Sequence, residues 1–211
     1  VVTGSRVLPP YEYLIIDEGH HLESASTNTL SYRITQTDMQ RMIRELGSVS
    51  SGVLGRLVTS LKHILKPSEF ASAFSICQRI TDLAFRLEQD WNAFFGDIES
   101  FLESERDFQP MGLYAQQVRI LPATRTIPSW STVEIHYDQA NETLTLLINL
   151  VKEFLKDLSD VIQDQTEDLE EAISSLSFNH QRMSEAAHFL YAMILNPESD
   201  YIYWIEQQPD S

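Results

Sequence analysis

Cysteine occurs once in the 211 residues, at Cys77. One thiol cannot close an intramolecular disulfide framework or build a cysteine-ligated zinc or iron–sulfur centre. Glycine is scarce at 7 residues, which disfavours sandwiches, barrels and glycine-rich phosphate-binding folds. Bases are outnumbered by acids, 15 to 31, for a formal charge of −16. A surface this negative repels phosphate backbones on average, so any DNA contact requires a local basic patch. The longest apolar run, Ala186 to Leu195, carries His188 and is too short to span a bilayer. No basic-then-apolar leader pattern opens the chain. Apolar residues make up 43%, enough to specify a packed core rather than a disordered segment. The expectation is a helix-rich, soluble, intracellular (cytoplasmic) protein. The chain opens on Val1 rather than Met, and we expect a piece of a longer protein.

Three zones follow from the hydrophobic pattern. In the first, residues 1–23, the run Tyr13-Leu-Ile-Ile ends in Asp17 and Glu18. A short continuous apolar run bounded by acids fits a strand buried in a parallel sheet, most of which this chain does not supply. The second zone, residues 24–198, is helical. Met39, Met42, Ile43 and Leu46 recur at helical spacing, with Thr37 or Asp38 as the expected cap and Gly47 as the stop. Leu54, Leu57, Val58, Leu61 and Leu65 repeat the pattern before Pro67. From Ser68 a long helix carries Phe70, Ala73, Cys77, Ile80, Ala84, Leu87, Trp91, Phe94, Ile98 and Phe101 in alternating steps of three and four. Residues 117–127, interrupted by Pro122, read as two short extended pieces forming a hairpin or edge strands.

Helical spacing resumes near Ser131 with Val133, Tyr137, Ala140, Leu144, Leu147, Val151, Phe154, Leu158 and Val161. It slips near Gln165, then continues through Leu169, Ile173, Leu176, His180, Met183, Ala187, Leu190 and Ile194. The slip is either a stutter or a break between two helices. The third zone, residues 199–211, holds the strand-like Tyr201-Ile-Tyr-Trp-Ile-Glu. The expected fold class is mainly α: a bundle of long antiparallel helices, a small extended or hairpin element, and residual strands of an α/β motor domain at both ends. Those end strands are expected near each other, because an insertion returns to its host.

The chemistry concentrates in Leu14-Ile-Ile-Asp17-Glu18-Gly19-His20. A hydrophobic strand ending in Asp-Glu matches the Walker B arrangement of phosphate-loop motors. There the Asp orients Mg²⁺ through water and the Glu activates the attacking water. The competing reading is a buried strand followed by an acidic helix start.

The flanks extend the match. Arg6-Val-Leu-Pro-Pro-Tyr-Glu-Tyr-Leu-Ile-Ile-Asp-Glu-Gly-His-His-Leu-Glu closely resembles motif II and its lead-in in the DinG-like and XPD-like branch of superfamily 2 ATP-dependent DNA helicases. Gly19 stands where that branch usually has alanine. The resemblance implies a mostly helical arch domain inserted after motif II. Thr124-Arg-Thr-Ile-Pro-Ser-Trp130 and Tyr203-Trp-Ile-Glu206 resemble weaker landmarks of the same branch. It implies Asp17 as the Mg²⁺-associated carboxylate, Glu18 as catalytic base and His20 as the coupler of nucleotide state to DNA. ATP and Mg²⁺ would be cofactors of the full-length parent, single-stranded DNA its partner, and the remaining motor domains partners in cis. The chain has no G-x-x-x-x-G-K-[ST] loop, so it is not expected to hydrolyse ATP alone.

Weaker features remain. Residues 33–66 hold Arg33, Arg41, Arg44, Arg56, Lys62 and Lys66 against Asp38 and Glu45. With Arg119 and Arg125, these are the candidate DNA-facing cations, or else an ordinary solvated face. The acid-rich stretch from Asp157 onward either repels DNA from an outer face or only solubilises. His20, His21 and Glu23 make a sparse metal-ligand pattern lacking a further ligand. His180 reads as a hydrogen-bonded core histidine and Cys77 as a small core residue. The alternative function is a helical interaction or scaffold module with no nucleotide chemistry.

Overall fold

The computed structural model describes residues 13, 17–22, 27, 29–110, 112–161 and 167–209. The motif II lead-in, the expected strand at 14–16, and Glu23 lie outside the described residues. The chain divides into two compact units, Val1–Ile34 and Thr35–Ser211. The second begins at a helix cap: the Thr35 hydroxyl accepts the Asp38 N–H at 3.1 Å, and the Asp38 carboxylate accepts the Thr35 N–H at 3.2 Å. This reciprocal box starts α1 (Gln36–Leu46) two residues earlier than the expected Thr37 cap.

Among the described residues the second unit holds four further α-helices. They are α2 (Gly52–Ile64), α3 (Pro67–Glu105), α4 (Pro128–Val161) and α5 (Glu167–Ile194). The expected slip near Gln165 lies outside the described residues, between the end of α4 and the start of α5. Between α1 and α2 the chain reverses through Gly47, whose φ is 77°. A Cβ there would sit 2.3 Å from the Ser51 carbonyl oxygen, so only glycine fits this corner.

The core is the seam that the spacing predicts. Helices α3 and α4 run antiparallel: Phe101 meets Trp130, Phe94 meets Tyr137, and Asp90 meets Thr143, so numbers fall along α3 as they rise along α4. The two aromatic pairs are edge-on or tilted at 5.3 and 5.8 Å between centroids, the geometry ring quadrupoles favour. Phe70 and Ile98 are only half-buried, at the seam's margin. On α5 the buried row is Leu169, Ala172, Leu176, Asn179, Met183, Ala186 and Leu190. Leu169, Leu176, Met183 and Leu190 are buried as the spacing predicts, whereas Ala172, Asn179 and Ala186 take the places expected of Ile173, His180 and Ala187, which lie at the edge. Asn179 enters the core because its Nδ2 donates to the Met42 carbonyl of α1 at 3.0 Å, which offsets part of its desolvation.

The extended element differs from a local hairpin. Strand β1 (Gln116–Arg119) pairs antiparallel with β2 (Trp204–Gln207), while residues Thr124–Thr126 form a 3₁₀ turn. The Thr124 hydroxyl accepts the Leu121 N–H at 3.1 Å, closing a turn after β1 in place of a second strand. Arg106 fastens the ribbon to the end of α3, donating to Gln116 Oε1 and, at 2.8 Å, to Gln207 Oε1. Among the described residues no helix is long and apolar enough to cross a membrane.

Candidate functional site

Asp17, Glu18 and His20 come together on one exposed turn. Asp17 Oδ1 accepts the Glu18 N–H at 2.9 Å. Glu18 adopts the left-handed region, φ 52°, and opens the 3₁₀ turn Gly19–His21, where the His21 N–H returns to the Glu18 carbonyl at 2.9 Å. A glutamate in this region is uncommon; Asp107 and Phe108, after α3, share it. His20 Nδ1 lies 3.2 Å from Glu18 Oε2, with both side chains about two-thirds exposed. The His20 and His21 rings are 3.9 Å apart. Among the described residues, no atom beyond its chain neighbours lies within 4 Å of a Cβ added at Gly19, so an alanine meets no clash there.

The donor set admits Mg²⁺ in one way. This hard ion takes oxygen ligands and keeps several waters, and Asp17 retains its Oδ2 for an ion or a bound water. The imidazoles of His20 and His21 are not magnesium ligands. When bound, Mg²⁺–ATP would supply the phosphoryl group and neutralise its charge. Asp17 would hold the metal's water, and the exposed Glu18 would take a proton from the attacking water.

The candidate cations differ in their surroundings. Arg33 is exposed in the first unit. Arg41 pairs with Asp38 at 2.5 Å and with Glu45 at 4.0 Å. Arg44 and Arg56 line one groove of about 380 Å³ with Val53, Phe178 and Asn179. There the Arg56 guanidinium donates to Ser175 Oγ at 3.4 Å. Lys66 pairs with Glu69 at 3.8 Å, and Lys62 is exposed on the last turn of α2.

Arg125 is a structural cap. It donates to the Ile194 and Met193 carbonyls at 2.5 Å each and lies over the rings of Trp130 and Tyr203. Its guanidinium satisfies carbonyls left open at the end of α5, so it is withdrawn from the DNA-facing set. Arg119 remains presented. Its side chain is exposed, with no hydrogen bond or ion pair among the described residues. The register places it opposite Trp204 on the outer face of the ribbon, with Val118 and Ile205 beneath.

Other titratable groups are structural. Cys77 is fully buried, and desolvation pushes its thiol up to about 12, so it is no nucleophile. His180 Nε2 is buried with no hydrogen-bond partner, contrary to the expected satisfied histidine. Burial first, then Lys152, holds its pKa below the ordinary value. Sequence reasoning missed two features. Glu18 joins His20 and His21, where the expected pattern was His20, His21 and Glu23, the last outside the described residues, and Trp204 presents an aromatic face next to Arg119. The adjacency of His21 to the box was the available signal for the first. The second required knowing the partner strand.

Compared with known proteins, the chain matches no family model, no curated protein and no solved structure.

Proposed function

We propose that this chain is the motif II segment and helical arch of an ATP-dependent DNA helicase of the DinG-like and XPD-like branch. In the full-length parent, ATP hydrolysis drives movement along single-stranded DNA, and the arch helps to enclose that strand. The observation that carries the reading is the turn at Asp17 to His20. Two carboxylates and an imidazole stand exposed on it, with Glu18 held in a left-handed conformation. The antiparallel α3–α4 pair, capped by the β1–β2 ribbon, is consistent with an inserted arch. The outer ribbon face offers the Arg119 guanidinium, unpaired among the described residues, and the partly exposed Trp204 indole, the pairing that binds single strands through phosphate contact and base stacking.

The scaffold reading is favoured by one observation. Asp17 accepts the next residue's N–H, as an ordinary turn-opening acid does. ATP hydrolysis by the full-length parent, with single-stranded DNA and with Glu18→Gln, separates the two readings.

A further inference from the structure

We propose that Glu18, His20 and His21 bind a divalent transition-metal ion of the zinc type. One carboxylate oxygen and one nitrogen from each imidazole all lie within 4.8 Å of one another. The closest pair, Glu18 Oε2 and His20 Nδ1, is 3.2 Å apart. That is close to the roughly 3.3 Å between two ligands of a tetrahedral ion with bonds of about 2.0 Å. Two imidazoles and a carboxylate are a donor set that suits zinc and its borderline neighbours, and one that Mg²⁺ does not take. The remaining adjustment falls on side chains that are solvent-exposed, so closing around an ion requires only their rotation. The fourth position would be left to water, as in open zinc sites.

The backbone gathers the three side chains. Left-handed Glu18 turns the chain so that the next residues form a single 3₁₀ turn, which brings His20 and His21 back over the Glu18 carboxylate.

The consequence for catalysis rests on the proposed helicase function; the ion site itself does not. A zinc ion at these ligands occupies the carboxylate assigned as base and the imidazole assigned as coupler. Zinc would therefore silence the box reversibly.

The test is calorimetric titration of ZnCl₂ into the chain, beside His21→Ala and His136→Ala. His21 lies outside the core, and circular dichroism checks that its variant stays folded. The expected result is one saturable zinc site, weakened about tenfold or more in His21→Ala. His136→Ala, which removes the histidine paired with Asp97 on the α3–α4 seam, leaves it unchanged. Excess MgCl₂ does not displace zinc. Absence of saturable binding, or equal affinity in His21→Ala, overturns the site. In the full-length parent, zinc inhibition of ATP hydrolysis relieved by His21→Ala supports the consequence. Binding without inhibition of an active ATPase overturns that consequence while the ion site stands.

Discussion

The Thr143 hydroxyl donates to the Asp90 carboxylate at 2.6 Å in the middle of the α3–α4 seam, where Thr143 is fully buried and Asp90 nearly so. Gln139 Nε2 adds a second donor at 3.1 Å, and Arg86 stands 3.8 Å away. A carboxylate this deep is tolerated only because donors from the facing helix meet it. It also fixes register: sliding α4 by one turn would leave the charge against apolar side chains.

Thr143→Val keeps the shape and removes the donor. It should destabilise the fold by about 1.5–3 kcal/mol, the range for a hydrogen bond to a charged group. In urea the midpoint should fall with the slope unchanged. The double variant Asp90→Leu with Thr143→Val should cost less than the two singles added, because it leaves no unmet charge. A neutral Thr143→Val would show that water already satisfies Asp90.

His180 predicts a pH dependence. Its folded-state pKa is depressed below the ordinary 6.5 by burial and by Lys152. The unfolded chain therefore binds the proton more readily, and stability rises with pH between the folded and unfolded values. The contribution is fully present above the unfolded pKa and is lost as pH falls through the folded one. His180→Gln should flatten the melting temperature between pH 7 and pH 5. An unchanged pH profile in this variant would remove His180 as the source.

Trp204 is a built-in reporter for the proposed DNA surface. The other two tryptophans, Trp91 and Trp130, are 1% and 0% exposed, whereas Trp204 is 38% exposed. Single-stranded oligonucleotide should quench the red-shifted part of the emission at low salt. Trp204→Phe should abolish the quenching, and Arg119→Glu should weaken binding and reduce its salt dependence. Loss of binding on substituting Arg44 and Arg56 instead would move the surface to the α2–α5 groove.

Much of the helical architecture was legible because burial imposes its period directly. Cys77, Ile80, Ala84, Leu87 and Trp91 on α3, and Val133 through Leu158 on α4, occupy the buried seam as spaced. What was not legible depends on partners distant in the chain. β1 pairs with a strand beginning 85 positions after its own last residue's number, Arg119 against Trp204, so local pattern suggested a hairpin instead. Asn179 is absent from the row expected on α5, because the Met42 carbonyl that holds it in the core comes from a distant part of the chain. Arg125 looked like a surface cation until the end of α5 met it. At the box, the residue types were plain in the sequence. Their gathering was not, because it follows from the left-handed Glu18 rather than from periodicity.

The most direct measurement is ATP hydrolysis by the full-length parent, with and without single-stranded DNA, beside Glu18→Gln. The account predicts DNA-stimulated turnover that falls by about two to four orders of magnitude in the variant, the range for losing a general base. Turnover unaffected by the substitution would contradict Glu18 as the base. A well-folded parent with no turnover would contradict the helicase reading itself.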